Sequence, residues 1–136
     1  TGEPSMSALA IHGDSWRGVL NDEWHVADPS WDDVSTAIRR RDARTFTMVT
    51  IQGPGEQHLA VGGGAGRYVV YATFDNCEFW NLLAATVDDG TVLLNAGGQE
   101  GNYPARQIVD LDEAETAARA FFVGPKLEPS LRWEKQ

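Results

Sequence analysis

The chain has 136 residues, a length that fits one ordinary domain, and its 42% hydrophobic and 10% aromatic residues are typical of a globular fold. Twenty acidic side chains against 11 basic ones leave a formal net charge of −9. Nucleic acids and anionic membranes are bound through basic surfaces, so this charge argues against both as partners. It favours a basic protein partner, or it serves solubility alone.

Cys77 is the only cysteine, which excludes an intrachain disulfide and is compatible with a reducing cytoplasm. No stretch approaches the ~20 apolar residues that span a bilayer, and residues 1–11 lack the pattern of a secretory signal. We therefore expect a cytoplasmic protein with a single domain over residues 1–136. Residues 1–5, which precede Met6, could be a cloning remnant and carry no weight.

The N-terminal region, residues 1–28, is polar with scattered apolar positions and predicts at most a short strand or two. Ser30 and Asp33 then form a capping-box pattern, which predicts a helix from Trp31 to about Arg41. Apolar residues spaced i, i+3 and i+7 give this helix one buried face.

From residue 45 to residue 110 the pattern changes to β-branched and aromatic runs separated by Gly, Asn and Asp, which is typical of strands. Short connections favour an antiparallel meander. The run 68–72 is apolar throughout and predicts a central strand buried on both faces. The six predicted strands are residues 46–52, 57–61, 67–74, 79–87, 91–96 and 105–109.

A second helix is predicted after Asp110, which can cap it, and it should end at Gly124 and Pro125. The tail, with Leu131 and Trp133, is expected to pack back as an extended segment. The predicted fold class is therefore α+β, with an antiparallel, mostly meander β-sheet of about six strands and two flanking helices.

Two glycine-rich motifs suggest chemistry that the rest of the sequence does not support. Residues 62–66 match neither nucleotide-binding glycine pattern, and we interpret them as a flexible hairpin turn. Gly97-Gly98-Gln99 is the tripeptide with which release factors hydrolyse peptidyl-tRNA, but that function needs a basic surface. We interpret it as a turn after the strand 91–96.

The three histidines His12, His25 and His58 are dispersed and fit no metal-binding motif. His25 lies near Glu23 and Asp28 and could act as a base, although a surface or capping histidine is the simpler interpretation. We therefore predict no catalytic residue, no metal and no cofactor.

The distribution of charge is more informative, because no Lys or Arg occurs between Arg67 and Arg106. In a simple meander, the loop 75–78 and the loop 97–104 leave the sheet at the same end. Their acids, amides and tyrosine suit a basic, hydrogen-bonding partner surface. The alternative is that these acidic residues are merely solvated. The predicted binding residues are Asp75, Asn76, Glu78, Gln99, Glu100, Asn102 and Tyr103.

Several segments, in order, resemble the Imm1 immunity proteins of bacterial polymorphic toxin systems, and together they cover about two thirds of the chain. The segments are Leu59-Ala-Val-Gly-Gly-Gly64, Arg67-Tyr-Val-Val-Tyr71, Ala96-Gly-Gly-Gln99, Tyr103-Pro-Ala-Arg106, Val109-Asp-Leu111, Ala117-Ala-Arg-Ala-Phe-Phe122 and Leu131-Arg-Trp-Glu134.

The resemblance implies a non-enzymatic α+β protein that is encoded beside a toxin gene and binds the toxin domain. The toxins of this family are often nucleic-acid deaminases, whose basic substrate groove an acidic protein can occlude. Two alternatives remain open, a small enzyme with an unrecognised site and a regulatory protein-binding module.

Overall fold

A computed structural model describes residues 9–85 and 90–136. Within these residues the chain forms eleven strands, two α-helices and a short 3-10 helix at Ala105–Gln107. The helices are α1 (Trp31–Arg39) and α2 (Leu111–Val123). The strands are β1 (Ala10–Gly13), β2 (Trp16–Arg17), β3 (Leu20–Asn21), β4 (Trp24–Ala27), β5 (Met48–Gln52), β6 (His58–Gly64), β7 (Arg67–Thr73), β8 (Phe79–Leu83), β9 (Thr91–Ala96), β10 (Gln99–Pro104) and β11 (Arg132–Lys135).

Seven of these strands form one sheet in the order β11-β8-β7-β6-β5-β1-β4, with every neighbouring pair antiparallel. The predicted α+β class is confirmed, and β5 to β8 form the predicted meander. We call the end of the sheet where β5 begins the Thr47 end, and the end where β5 finishes the Gln52 end.

Both helices pack on one face of this sheet, and their caps explain where they begin. The Ser30 hydroxyl accepts from the N–H of Asp33, whose carboxylate accepts from the N–H of Ser30, and Asp110 and Glu113 repeat the arrangement for α2. Both helix predictions are confirmed, although α1 ends at Arg39, two residues early. The core between helices and sheet includes Val34, Ile38, Phe121, Val49, Ile51, Leu59, Val61 and Val70.

The opposite side of the sheet, which we call the outer face, is partly covered by a hairpin of β9 and β10. Its two-residue turn places Gly97 at φ 69° and Gly98 at φ 83°, so the chain reverses at once and β10 begins at Gln99. The predicted strand 105–109 is therefore wrong, since the strand ends at Pro104 and a 3-10 helix follows it at Ala105–Gln107.

The glycine run was predicted as a turn, but Gly62, Gly63 and Gly64 belong to β6, and only Ala65 and Gly66 form the turn. The reason is close packing. A Cβ on Gly62 would lie 2.7 Å from the Cβ of Ala96, and one on Gly64 would lie 2.4 Å from the backbone carbon of Arg41. These glycines let the hairpin and the chain after α1 approach the sheet.

The N-terminal prediction is also wrong, because β1 and β4 complete one side of the seven-stranded sheet and β2 and β3 form a small separate hairpin. Short strands with polar outer-face residues leave little apolar pattern to detect. The tail prediction is confirmed, since β11 pairs with β8 and Trp133 packs against the core. The strand predicted over residues 79–87 is shorter in the structure, because β8 ends at Leu83, and its last two predicted residues, 86 and 87, lie outside the described residues.

Candidate functional site

The seven predicted binding residues fall into two groups. Asp75, Asn76 and Glu78 lie in the loop between β7 and β8, and Gln99, Glu100, Asn102 and Tyr103 lie on β10. The loop leaves the sheet at the Gln52 end, whereas the hairpin turn contacts Thr47 at the other end. The prediction that both groups share one end is wrong, because residues 91–104 leave the meander and stack on the outer face.

The β7–β8 loop is shaped by the carboxylate of Asp75. It accepts from the backbone N–H groups of Glu78 (2.9 Å) and Cys77 (2.8 Å), and these bonds lower the pKa of Asp75. Asn76 takes a positive φ of 61°, and the Glu78 carboxylate pairs with Lys135 at 3.0 Å. The loop therefore presents a fixed negative charge at Asp75.

The β9–β10 turn is held by a buried polar cluster centred on Asp14, at the Thr47 end. The Asp14 carboxylate accepts from the backbone N–H of Thr47 (2.7 Å), the Thr47 hydroxyl and the Trp16 indole (2.8 Å). The same hydroxyl accepts from the N–H of Gly98 at 2.8 Å. This cluster fixes the position of the hairpin on the sheet.

Arg41 completes the cluster, with a side chain that is fully buried. Its Nε donates to the carbonyl of Ala37 and its Nη1 to that of Met48, both at 2.8 Å, and Nη1 lies 3.7 Å from Asp14. Burial lowers the pKa of Arg41 to about 10, although Asp14 opposes this shift. These contacts connect the end of α1 to the start of β5, which is a structural role.

Between the hairpin and the β7–β8 loop, the outer face carries an aromatic cluster that sequence reasoning missed. The His58 ring lies 5.7 Å from that of Tyr71 and 6.5 Å from that of Phe79, and Tyr71 and Phe79 are 6.0 Å apart. The run 68–72 was predicted to be buried on both faces, which is wrong for Val69 and Tyr71, since both are partly exposed on the outer face. Strand alternation was the available signal.

The strand register also brings all three histidines to the outer face. His12 pairs with His25 on β4 and with Thr50 on β5, and His58 lies further along on β6. Burial lowers the pKa of His12, and nearby Glu23 opposes this shift. Within residues 9–85 and 90–136, no group of three His, Cys, Asp or Glu side chains is placed to hold a metal ion.

Most of the strands carry no basic residue. No Lys or Arg occurs in β1, β4, β5, β6, β8, β9 or β10. On the helical face, the side of the molecule that carries α1 and α2, a cavity of about 450 Å³ is lined by Trp31, Glu115, Arg119, Val123 and Lys126 among others. Two smaller cavities on the outer face, of about 200 and 220 Å³, share Met48, and the larger reaches Tyr71 and Tyr103.

The model of the family described as immunity protein Imm1 matches residues 22–135. This chain belongs to the Imm1 family. Imm1 proteins are immunity proteins of toxin systems, so the family implies a cognate toxin as partner and a role in binding instead of catalysis. No curated protein matches the chain. Among the described residues of this Imm1 protein, no helix has the length and apolar character to span a membrane.

Proposed function

We propose that this Imm1 protein neutralises a nucleic-acid deaminase, encoded by the adjacent gene, by covering the basic surface that binds the substrate. A deaminase acting on nucleic acid must hold an anionic strand in a basic groove, with the target base extruded or single-stranded. A protein with a net charge of −9 and seven strands without Lys or Arg has the complementary charge.

The observation that carries this proposal is the family match together with the charge of the predicted binding residues. Glu100 and Asn102 are exposed on β10, and Asp75, Asn76 and Glu78 are exposed in the β7–β8 loop. The β10 residues lie at one border of the outer face, on the hairpin, and the loop residues lie at the other border, at the Gln52 end. We propose them, together with Gln99 and Tyr103, as toxin contacts. Because a specific interface buries about 800 Å² on each partner, one toxin surface can reach both borders.

The test uses the purified protein and the toxin domain encoded beside its gene. We expect a 1:1 complex and loss of deamination of single-stranded DNA or RNA as the protein approaches equimolar amounts. A catalytically inactive toxin domain, bound to a labelled oligonucleotide, should release it when the protein is added. A stable ternary complex, or full activity with the protein in excess, would refute occlusion of the substrate surface.

A further inference from the structure

We propose that the aromatic cluster of His58, Tyr71 and Phe79 is the centre of the toxin interface, and that it receives arginine side chains of the toxin. This inference rests on the proposed function and adds to it the central part of the contact surface, between the two groups of predicted binding residues. The predicted residues lie on two borders of the outer face, and the cluster lies between them.

The position of the cluster follows from the strand register. Tyr71 is paired with Asn81, and Phe79 with Thr73, whose hydroxyl accepts from the N–H of Asn76 at 2.9 Å in the loop. On the other side, Tyr71 and Tyr103 of β10 line the same cavity of about 220 Å³. A partner that contacts both borders must therefore cover Tyr71 and Phe79.

The chemistry of the cluster suits a planar cation. The ring planes of Tyr71 and Phe79 are inclined by 55° and that of His58 stands almost perpendicular to Tyr71, so together they form a shallow aromatic surface. A guanidinium group stacks on such rings, and carboxylates nearby accept its N–H groups in pairs. Asp75 and Glu78 lie in the β7–β8 loop, where Asp75 supplies a carboxylate that pairs with no Lys or Arg of the described residues and Glu78 one that also pairs with Lys135.

The pKa of the Tyr71 hydroxyl is raised by burial, so this group stays neutral at physiological pH. No hydrogen bond joins it to another described residue, which leaves it available to a partner. A partly buried tyrosine whose hydroxyl has no partner is typical of residues that contribute strongly to binding energy when an interface closes over them.

Size and charge favour this face over the cavity on the helical face. From β1 to β8 the sheet spans four inter-strand spacings, about 19 Å, so it is wide enough for the centre of a standard interface. The larger cavity beside α2 is lined by two cations, Arg119 and Lys126, and by two carboxylates, Glu115 and Glu128. The formal charges of this lining cancel, and the Glu115 carboxylate is already paired with Arg39 at 3.0 Å, so this cavity attracts a basic surface less.

The first test compares single substitutions by the Kd for the inactive toxin domain. Phe79→Ala should weaken binding at least tenfold and Tyr71→Lys still more, while Tyr71→Phe, which removes only the hydroxyl and keeps the ring, should weaken binding less than Phe79→Ala. Val123→Lys is the matched control, because it adds the same charge at a site 72% exposed on α2 and should change the Kd less than about twofold. Circular dichroism checks that each variant is folded.

The second test uses chemical labelling of the unmodified sequence. It is possible because all three histidines lie on the outer face. Diethyl pyrocarbonate modifies histidine rings, and mass spectrometry locates the products. Toxin binding should protect His58 strongly, whereas acetylation of Lys126 beside α2, in a parallel reaction with acetic anhydride, should stay unchanged.

The outcomes separate the two proposals. If wild-type protein neither binds nor inhibits the toxin, the proposed function fails. If wild-type protein inhibits but His58 stays reactive in the complex, or folded Phe79→Ala binds normally, the aromatic cluster is not the centre of the interface and only this inference fails.

Discussion

Asp14 illustrates how much of the fold depends on one buried carboxylate. It is 6% exposed, accepts hydrogen bonds from Thr47, Met48 and Trp16, and faces the buried guanidinium of Arg41. Asp14→Asn removes the charge that compensates Arg41 and places amide hydrogens against N–H donors. We expect the free energy of unfolding to fall by about 3–5 kcal/mol, measured by urea denaturation.

Asp22→Asn is the control for that measurement. Asp22 also pairs with an arginine, Arg17, at 2.8 Å, but both side chains are more than half exposed. An exposed pair contributes about 0–1 kcal/mol, so this substitution should be nearly neutral. Equal urea midpoints for the two variants would show that the Asp14 cluster does not hold the fold together.

At the scale of elements, the turn between β9 and β10 depends on two glycines with different surroundings. Both have positive φ, so alanine at either position costs about 1–2 kcal/mol. A Cβ on Gly98 would also lie 2.2 Å from the Trp16 ring, whereas one on Gly97 approaches only the end of Met48, at 3.7 Å. Gly98→Ala should therefore destabilise the protein more than Gly97→Ala in thermal unfolding.

The tryptophan signal in near-ultraviolet circular dichroism should change for Gly98→Ala alone, since that substitution displaces Trp16. If both variants unfold at the same temperature with unchanged spectra, the Trp16 contact is not what positions the hairpin.

The two helices are joined by Glu115, and this contact predicts a pH dependence. Its carboxylate accepts from Arg39 at 3.0 and 3.1 Å and from the Ser35 hydroxyl at 2.6 Å, and the Arg39 bond is the main reason why the pKa of Glu115 is lowered. A carboxyl group with a lower pKa in the folded state stabilises the fold above its unfolded pKa, near 4.5, and this stability is lost as the pH falls through the folded value.

Glu115→Gln should therefore lower the urea midpoint slightly at pH 7 and reduce the further loss between pH 7 and pH 3. Glu56→Gln, in the exposed loop before β6, is the matched control and should leave both values as in the wild type. The explanation is wrong if the acid-induced loss in Glu115→Gln equals that of the wild type.

The helices were predictable because their signals are local. Ser30 and Asp33 are three residues apart, and so are Asp110 and Glu113, so each cap can be read without knowing the rest of the fold. β10 was not predictable in this way. Its residues are mostly polar, and it is positioned by the Gly97-Gly98 turn and by pairing with β9, which stacks on β6, and that stacking is a tertiary feature.

The candidate site was also predictable only in part from the sequence. Acidic residues and amides could be listed from the sequence, but their placement at two borders depends on the hairpin leaving the meander. His58, Tyr71 and Phe79 are 13 and 8 residues apart along the chain and meet only through the register of β6, β7 and β8. A one-residue shift of that register would send Tyr71 to the core face.

At the scale of the whole molecule, the net charge of −9 predicts fast association with a basic toxin and a strong effect of salt. Between 50 and 500 mM salt the screening length falls from about 14 Å to about 4 Å, so the association rate should drop by roughly tenfold or more while the dissociation rate changes less. Stopped-flow mixing with the toxin domain measures both rates.

The outer face, and not the net charge alone, should set this rate. Glu100→Lys on β10 and Asp112→Lys on α2 change the net charge equally, and both positions are exposed. Electrostatic steering depends on charge near the encounter surface, so Glu100→Lys should slow association several-fold at 50 mM salt and Asp112→Lys less than about twofold. Equal slowing by both would mean that the toxin senses only total charge, and stronger slowing by Asp112→Lys would place its approach on the helical face.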